Sequence, residues 1–300
     1  MKLLFIIGAG ASLFSAASWA LGTVLFFKFS NRVTPFGLNL CRGMVGLFFL
    51  GLPMCFAGRP SCDLHSFFIL GLSGLLGIAI GDTFYFKTLL NLGPRLTSLI
   101  GIIVPVIAAL CAMLVLKECP NGLVWTGIIL TAAGTGWVLW EKSPSQGTVI
   151  INKAAGIIYG LLCVAASTAA AVLSKIGIQT VSPLTATFIR IFWGVMGLLV
   201  WGALNRQIKK DLLPFKDFVL FKNFVFIVMI GVYGGFWLFL VSIKYIDLAT
   251  AISLNSTSAL FVLPMAVIIT KEAVSWRAVA GATAAVLGIM LVMSQAFLIK

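Results

Sequence analysis

Ten apolar stretches, each close to the length of a bilayer span, follow one another along this chain, near 4–27, 34–56, 66–87, 95–116, 122–140, 154–174, 182–204, 223–243, 249–270 and 276–297. About 20 residues at about 1.5 Å rise cross a hydrocarbon core of about 30 Å. Inside lipid every backbone N–H and C=O must be satisfied within the protein, which leaves helices or closed barrels. Runs of this length select helices. Composition agrees: 61% of the 300 residues are hydrophobic and 10% are charged, against roughly 25% charged in soluble domains. The expected fold class is therefore an all-α integral membrane protein with ten transmembrane helices. Met1-Lys2 followed by LLFIIGAGASLFSAASWA has the look of a signal peptide. The apolar run continues to Phe27, however, and has a counterpart later in the chain, so it reads as a retained first helix.

The chain repeats itself. A shift of 148 residues pairs Gly8 with Gly156, Ala17 with Ala165, Pro35 with Pro183, Arg42 with Arg190 and Gly46 with Gly194. A shift of 154 pairs Gly77 with Gly231, Gly81 with Gly235, Lys117-Glu118 with Lys271-Glu272, Gly127 with Gly281 and Gly134 with Gly288. The difference of six fits an insertion in the basic, amphipathic loop 205–222. Two five-helix repeats follow, residues 1–140 and 154–300, joined by the polar linker 141–153. Five is odd, so the repeats must cross the membrane in opposite senses. Inverted-topology repeats are an architecture of secondary transporters, with the site at the repeat interface.

The order and doubling of these elements resemble the drug/metabolite transporter superfamily in its ten-helix EamA-type branch, over essentially the whole chain. The resemblance rests on Ala17-Ser18-Trp19-Ala20-Leu21-Gly22, on Pro35 with Arg42, on Pro105 with Glu118, and on the glycine-rich helix Gly127–Gly136. The second half repeats Pro183 with Arg190, and Glu272 with Gly281 and Gly288. Two positions depart from the pattern: Ala259 stands where Pro105 predicts a proline, with Pro264 following, and Ala165-Ala166-Ser167-Thr168 offers no partner for Trp19. The resemblance implies export or exchange of small metabolites such as amino acids or drug-like compounds, in a multi-pass protein of the inner or plasma membrane with cytoplasmic termini. An importer or antiporter of a charged metabolite, or a membrane binding protein without flux, are the competing readings.

Ionisable groups within spans are costly and mark function or structural pairs. Asp82, about 7.5 Å of helical rise from Lys87, is a candidate for proton coupling, for binding a cationic group on the substrate, or for a structural pair with an Arg or Lys. Phe236 takes its place in the second half. Arg42 and Arg190 either snorkel to the interface, capture an anionic group, or form a gate. Glu118 and Glu272 read as interfacial anchors with local charge pairing. Trp19, Tyr85 and Trp237 are aromatic cavity candidates. Asn255 and Ser258, in the polar run 253–258, could bind substrate or bond neighbouring helices. Gly71, Gly74, Gly77 and Gly81 read as helix packing, and Gly234-Gly235 as packing or a hinge.

The formal charge of +13 comes from cations scattered singly between apolar blocks, as at membrane flanks, and nucleic acid is not an expected partner. Expected partners are a small-molecule substrate, the bilayer and protons as coupling ion, in a monomer or homodimer. The six cysteines form no CxxC, the single histidine, His65, lies in a polar loop, and no catalytic set is visible. Neither a cofactor, a metal nor enzyme activity is expected. The Lys/Arg bias places 13 cations opposite the termini and six beside them, five of the 13 in loop 205–222. That bias favours external termini, against the resemblance.

Overall fold

A computed structural model describes residues 2–29, 32–56, 62–118, 120–140, 151–206, 208–258, 260–261 and 276–298. The described residues are helical throughout their regular structure. In the first half these are α1 (Lys2–Phe29), α2 (Pro35–Phe56), α3 (Leu64–Gly74), a wide π-helical segment (Leu75–Gly81), α4 (Asp82–Gly101), α5 (Val104–Cys111), a second wide segment (Ala112–Leu116) and α6 (Gly122–Trp140). The second half has α7 (Lys153–Gly177), α8 (Pro183–Leu204), the short α9 (Ile208–Leu212) with a 3-10 turn (Leu213–Lys216), and α10 (Phe218–Met229). After these come a wide segment (Ile230–Trp237), α11 (Leu238–Tyr245), α12 (Leu248–Asn255) and α13 (Trp276–Leu298). Seven runs are long and apolar enough to cross a membrane: Lys2–Phe27, Pro35–Cys55, Leu64–Pro94, Leu96–Leu116, Lys153–Gly177, Pro183–Leu204 and Phe218–Tyr245. Helices α6, α12 and α13 fall on the three remaining apolar stretches. Ala259, Pro264, Lys271 and Glu272 lie outside the described residues.

Local sequence sets where the helices start and stop. Asn152, Ser182 and Asp63 cap α7, α8 and α3, each accepting an N–H three residues on at 3.0–3.1 Å, and Pro183 opens α8 where its missing N–H costs nothing. Asp63 also accepts from the Thr180 hydroxyl at 2.8 Å. The Ser66 N–H first, then the two hydroxyl groups, hold its carboxyl down to about 2. Within α4, Gly93 adopts φ 76°, ψ 173°, a backbone that side chains disfavour, and turns the chain between two spans just before Pro94.

The halves interlock. Helix α1 packs on α11, on the wide segment before it and on α12, while α7 packs on α3, its wide segment and α4; α2 lies against α8, and α6 against α13. Small residues permit the close approaches, as expected where lipid supplies no hydrophobic drive between helices. A Cβ at Gly127 would sit 2.7 Å from the Gly288 carbonyl oxygen, and one at Gly134 would sit 2.6 Å from that of Gly281. As α6 ascends from 127 to 134, its partner descends from 288 to 281, so α6 and α13 are antiparallel. Other contacts recur at the repeat-related positions: Gly8 meets Ile246 as Gly156 meets Leu92, Gly46 meets Val232 as Gly194 meets Ile78, and Trp19 meets Gly235 as Ser167 meets Gly81.

The α6–α13 crossing has no room for a side chain. Gly134→Val should lower stability by about 1–3 kcal/mol through overpacking, whereas Gly10→Ala, which meets nothing within 4 Å, should be near neutral. Thermal unfolding of the two variants in the same detergent checks this.

Candidate functional site

Asp82 is the first residue after the wide segment Leu75–Gly81. A π turn leaves carbonyls without their usual helical donors, and such turns recur at functional sites. Here side chains answer them: Asn39 Nδ2 donates to the Ile78 carbonyl at 2.7 Å. In the equivalent segment of the second half, Ser15 Oγ donates to the Gly235 carbonyl at 2.8 Å. Asn39 also donates to Thr83 Oγ1 at 3.0 Å and accepts from Arg42 Nη2 at 2.8 Å. That same Nη2 donates to Asp82 Oδ2, closing a buried ion pair.

Neither arginine reaches the interface. Arg42 is 2% exposed and Arg190 6%, so the snorkelling alternative gives way to an interior position. The Arg42 guanidinium lies 5.1 Å from the ring centres of both Phe86 and Phe236, a cation–π sandwich strengthened by desolvation. Arg190 is close enough to act electrostatically on Asp82. Gly74 and Gly77 make room for it: a Cβ at Gly74 would overlap the Arg190 carbonyl, and one at Gly77 would lie 3.2 Å from its Nη2. Arg42 Nη1 and Arg190 Nε are buried with no hydrogen-bond partner.

A cavity of about 250 Å³ opens beside this cluster, and five of the residues singled out from sequence line it: Trp19, Asp82, Tyr85, Asn255 and Ser258. Trp19 stands edge-on to Tyr85 at 6.3 Å and to Phe236 at 5.1 Å. The Tyr85 hydroxyl shares a 2.6 Å hydrogen bond with Thr23, which in turn donates to the Trp19 carbonyl. Asn255 Nδ2 donates to Ser15 Oγ at 2.8 Å, so it ties α12 to α1 while also facing the cavity. Arg42 and Arg190 stand behind Asp82 rather than in the lining. Trp237 is also absent from the lining. The wide turn brings Phe236 toward Trp19 and Arg42, and Trp237 packs edge-on to Tyr233 at 6.4 Å.

Sequence reasoning missed several hydroxyl groups of the lining, among them Thr88, Thr97 and Ser167. Each donates to a carbonyl of its own helix, so nothing in the local sequence sets them apart. Ser167 had one signal: it is the repeat counterpart of Trp19.

The end of the bundle that holds the N-terminus of α1 is tied shut by polar contacts. Glu118 accepts from the Leu248 N–H at 2.9 Å and lies 3.9 Å from Lys175 Nζ. Lys175 donates to the Ile243 and Ile246 carbonyls at 2.7 Å, and Lys244 to that of Val181 at 2.7 Å. Burial pushes the Glu118 carboxyl up, opposed by the Leu248 N–H. The cavity residues on α1 and α7 lie toward the opposite end of the bundle.

Against known proteins, the model of the EamA-like transporter family matches twice, over residues 6–140 and 154–294. The chain belongs to the EamA-like transporter family. It is a multi-pass membrane protein, and a transporter by family. An uncharacterized transporter of Archaeoglobus fulgidus is 25% identical over 289 residues, covering 94% of this chain and 96% of the relative. A crystal structure matches with a TM-score of 0.72 at 16% identity, covering 100% of this chain and 99% of that one. At that identity the likeness is one of fold.

Removing one partner of a buried ion pair leaves the other charge uncompensated. Arg42→Met should therefore cost about 3–5 kcal/mol. The double variant Arg42→Met/Asp82→Asn should recover a large part of that loss, measured as the coupling between the two sites in a thermal-unfolding cycle.

Proposed function

We propose that this EamA-like protein is a secondary active transporter that exports or exchanges small metabolites, such as amino acids or related compounds, by alternating access. In this reading ten helices form two five-helix halves of inverted topology. The observation that carries it is the reciprocity of the contacts between halves. Gly8–Ile246 and Gly156–Leu92, Gly46–Val232 and Gly194–Ile78, and the antiparallel Gly127–Gly288 and Gly134–Gly281 approaches are what a two-fold axis in the membrane plane produces. The cavity lies between the halves: Trp19, Asp82 and Tyr85 come from one, Ser167, Asn255 and Ser258 from the other.

The site residues then take distinct roles. Trp19, Tyr85, Asn255 and Ser258 surround the substrate. Asp82 takes up and releases the coupling proton. Rocking one half against the other requires the tied end of the bundle to open, and the contacts that must break are those of Glu118 with Leu248 and Lys175, which join the two halves.

Two measurements test this. Cells expressing the intact chain should release a compound into the medium that cells expressing Asp82→Asn do not, by untargeted mass spectrometry, with equal amounts of folded protein in the membrane. A variant with unchanged release and unchanged pH dependence overturns the coupling role. On a cysteine-free background, Lys175→Met should raise the labelling rate of Ser258→Cys by a reagent applied from the side of the termini. An unchanged rate removes Lys175 from the closure.

A further inference from the structure

The charges around Asp82 do not balance. Helix α2 brings Arg42 and α8 brings Arg190, both buried. Asp82 is the one carboxylate facing them among the described residues. The other groups beside the cluster are neutral: Cys163 from α7, Trp19 from α1 and Tyr85 from α4 share the cavity wall with Asp82, and Phe236 from the wide segment before α11 lies on Arg42. With Asp82 ionised the cluster carries one positive charge in excess. A buried charge without a counter-ion is expensive, and two nitrogens of the cluster, Arg42 Nη1 and Arg190 Nε, have no hydrogen-bond partner.

The sign of that excess bears on the ligand. An amine placed in the cavity would add a second positive charge beside two arginines. A carboxylate alone would offset the excess, and one that enters with a proton would leave it unchanged. Yet the group the cluster turns to the cavity is Asp82, not either guanidinium. Asp82 Oδ2 is held by Arg42, which leaves Oδ1 for the cavity. Two carboxylates in contact cannot both stay ionised and hold a proton between them.

We propose that the cavity binds compounds through a carboxylate, and that each carboxylate enters with one proton, carried on Asp82. The proton sits on Oδ1, which donates to an oxygen of the ligand's carboxylate, while Oδ2 keeps its bond to Arg42. Proton and carboxylate together leave the charge of the site as it was, so the pair enters without electrostatic penalty. Each favours the binding of the other, as linkage requires. The inference rests on the transport reading and names its substrate class.

The test uses the purified full chain and reads ligand-induced thermal stabilisation at about pH 5.5 and about pH 7.5. The probes are benzoate, phenylacetate and the proteinogenic amino acids, each beside its carboxamide and the matching amine, with sodium chloride as an inorganic anion. Carboxylates should stabilise the protein, with affinity rising by up to about tenfold for each pH unit of acidification while the empty site is ionised. Amides, amines and chloride should not. Asp82→Asn keeps a donor without a titratable proton, and should bind the same carboxylates with no pH dependence. Stabilisation by amines, equal effects of acid and amide, a response to chloride alone, or no response to any carboxylate overturns the proposal. So does a pH dependence that survives in Asp82→Asn. Amine release in the cell assay would sink this inference and leave transport standing.

Discussion

Without water in the surrounding lipid, each polar group in a span must find its partner inside the protein, and the organisation of this chain follows from that. The helices satisfy most of the backbone internally. Where the spine widens, at Leu75–Gly81 and Ile230–Trp237, side chains from other helices take up carbonyls: Asn39 at Ile78 and Ser15 at Gly235. Those two side chains are also the supports of the site, since Asn39 holds Arg42 and Ser15 holds Asn255. The cost of the wide turns and the positioning of the functional side chains are thus met by the same bonds.

Much of the fold was legible in the sequence because apolar length and helical span are tied by geometry. The stretches expected near 4–27, 34–56 and 182–204 reappear as α1, α2 and α8. The contacts at Gly8 and Gly156, and at Gly46 and Gly194, fall at positions that the sequence pairs, and the pairing was visible through Gly and Arg because close approach and charge fix such residues. What could not be read was where spans widen. None of the three wide segments was marked out by composition, whereas the turn at Gly93 falls in the gap between the stretches expected near 66–87 and 95–116.

The site was legible in part, for a related reason. Asp82 stood out because a carboxylate within a span is rare, and the structural pair with an arginine, one of the readings open for it, is present as the bond to Arg42. Arg42 and Arg190 were ambiguous because a long stem allows either snorkelling or burial; the deciding feature, a carboxylate and two aromatic faces brought from distant segments, is tertiary. Trp237 and Phe236 are neighbours on a helix, and only the widened turn decides which of them meets Trp19. The serine and threonine hydroxyl groups of the lining bond their own helices and so carry no signal of their own.

The mismatch between Asp82 and Phe236 bears on the energetics of the transport cycle. A machine made of two identical inverted halves would be degenerate: its two end states would be related by a two-fold rotation and equal in free energy, and nothing intrinsic would favour resting in either. Among the described residues, the carboxylate that faces Arg42 and Arg190 comes from the first half, against arginines from both, and in such a machine that asymmetry would lift the degeneracy. In the proposed alternating-access cycle, the resting orientation of the empty protein would then depend on that side chain and its proton, with no external regulator required.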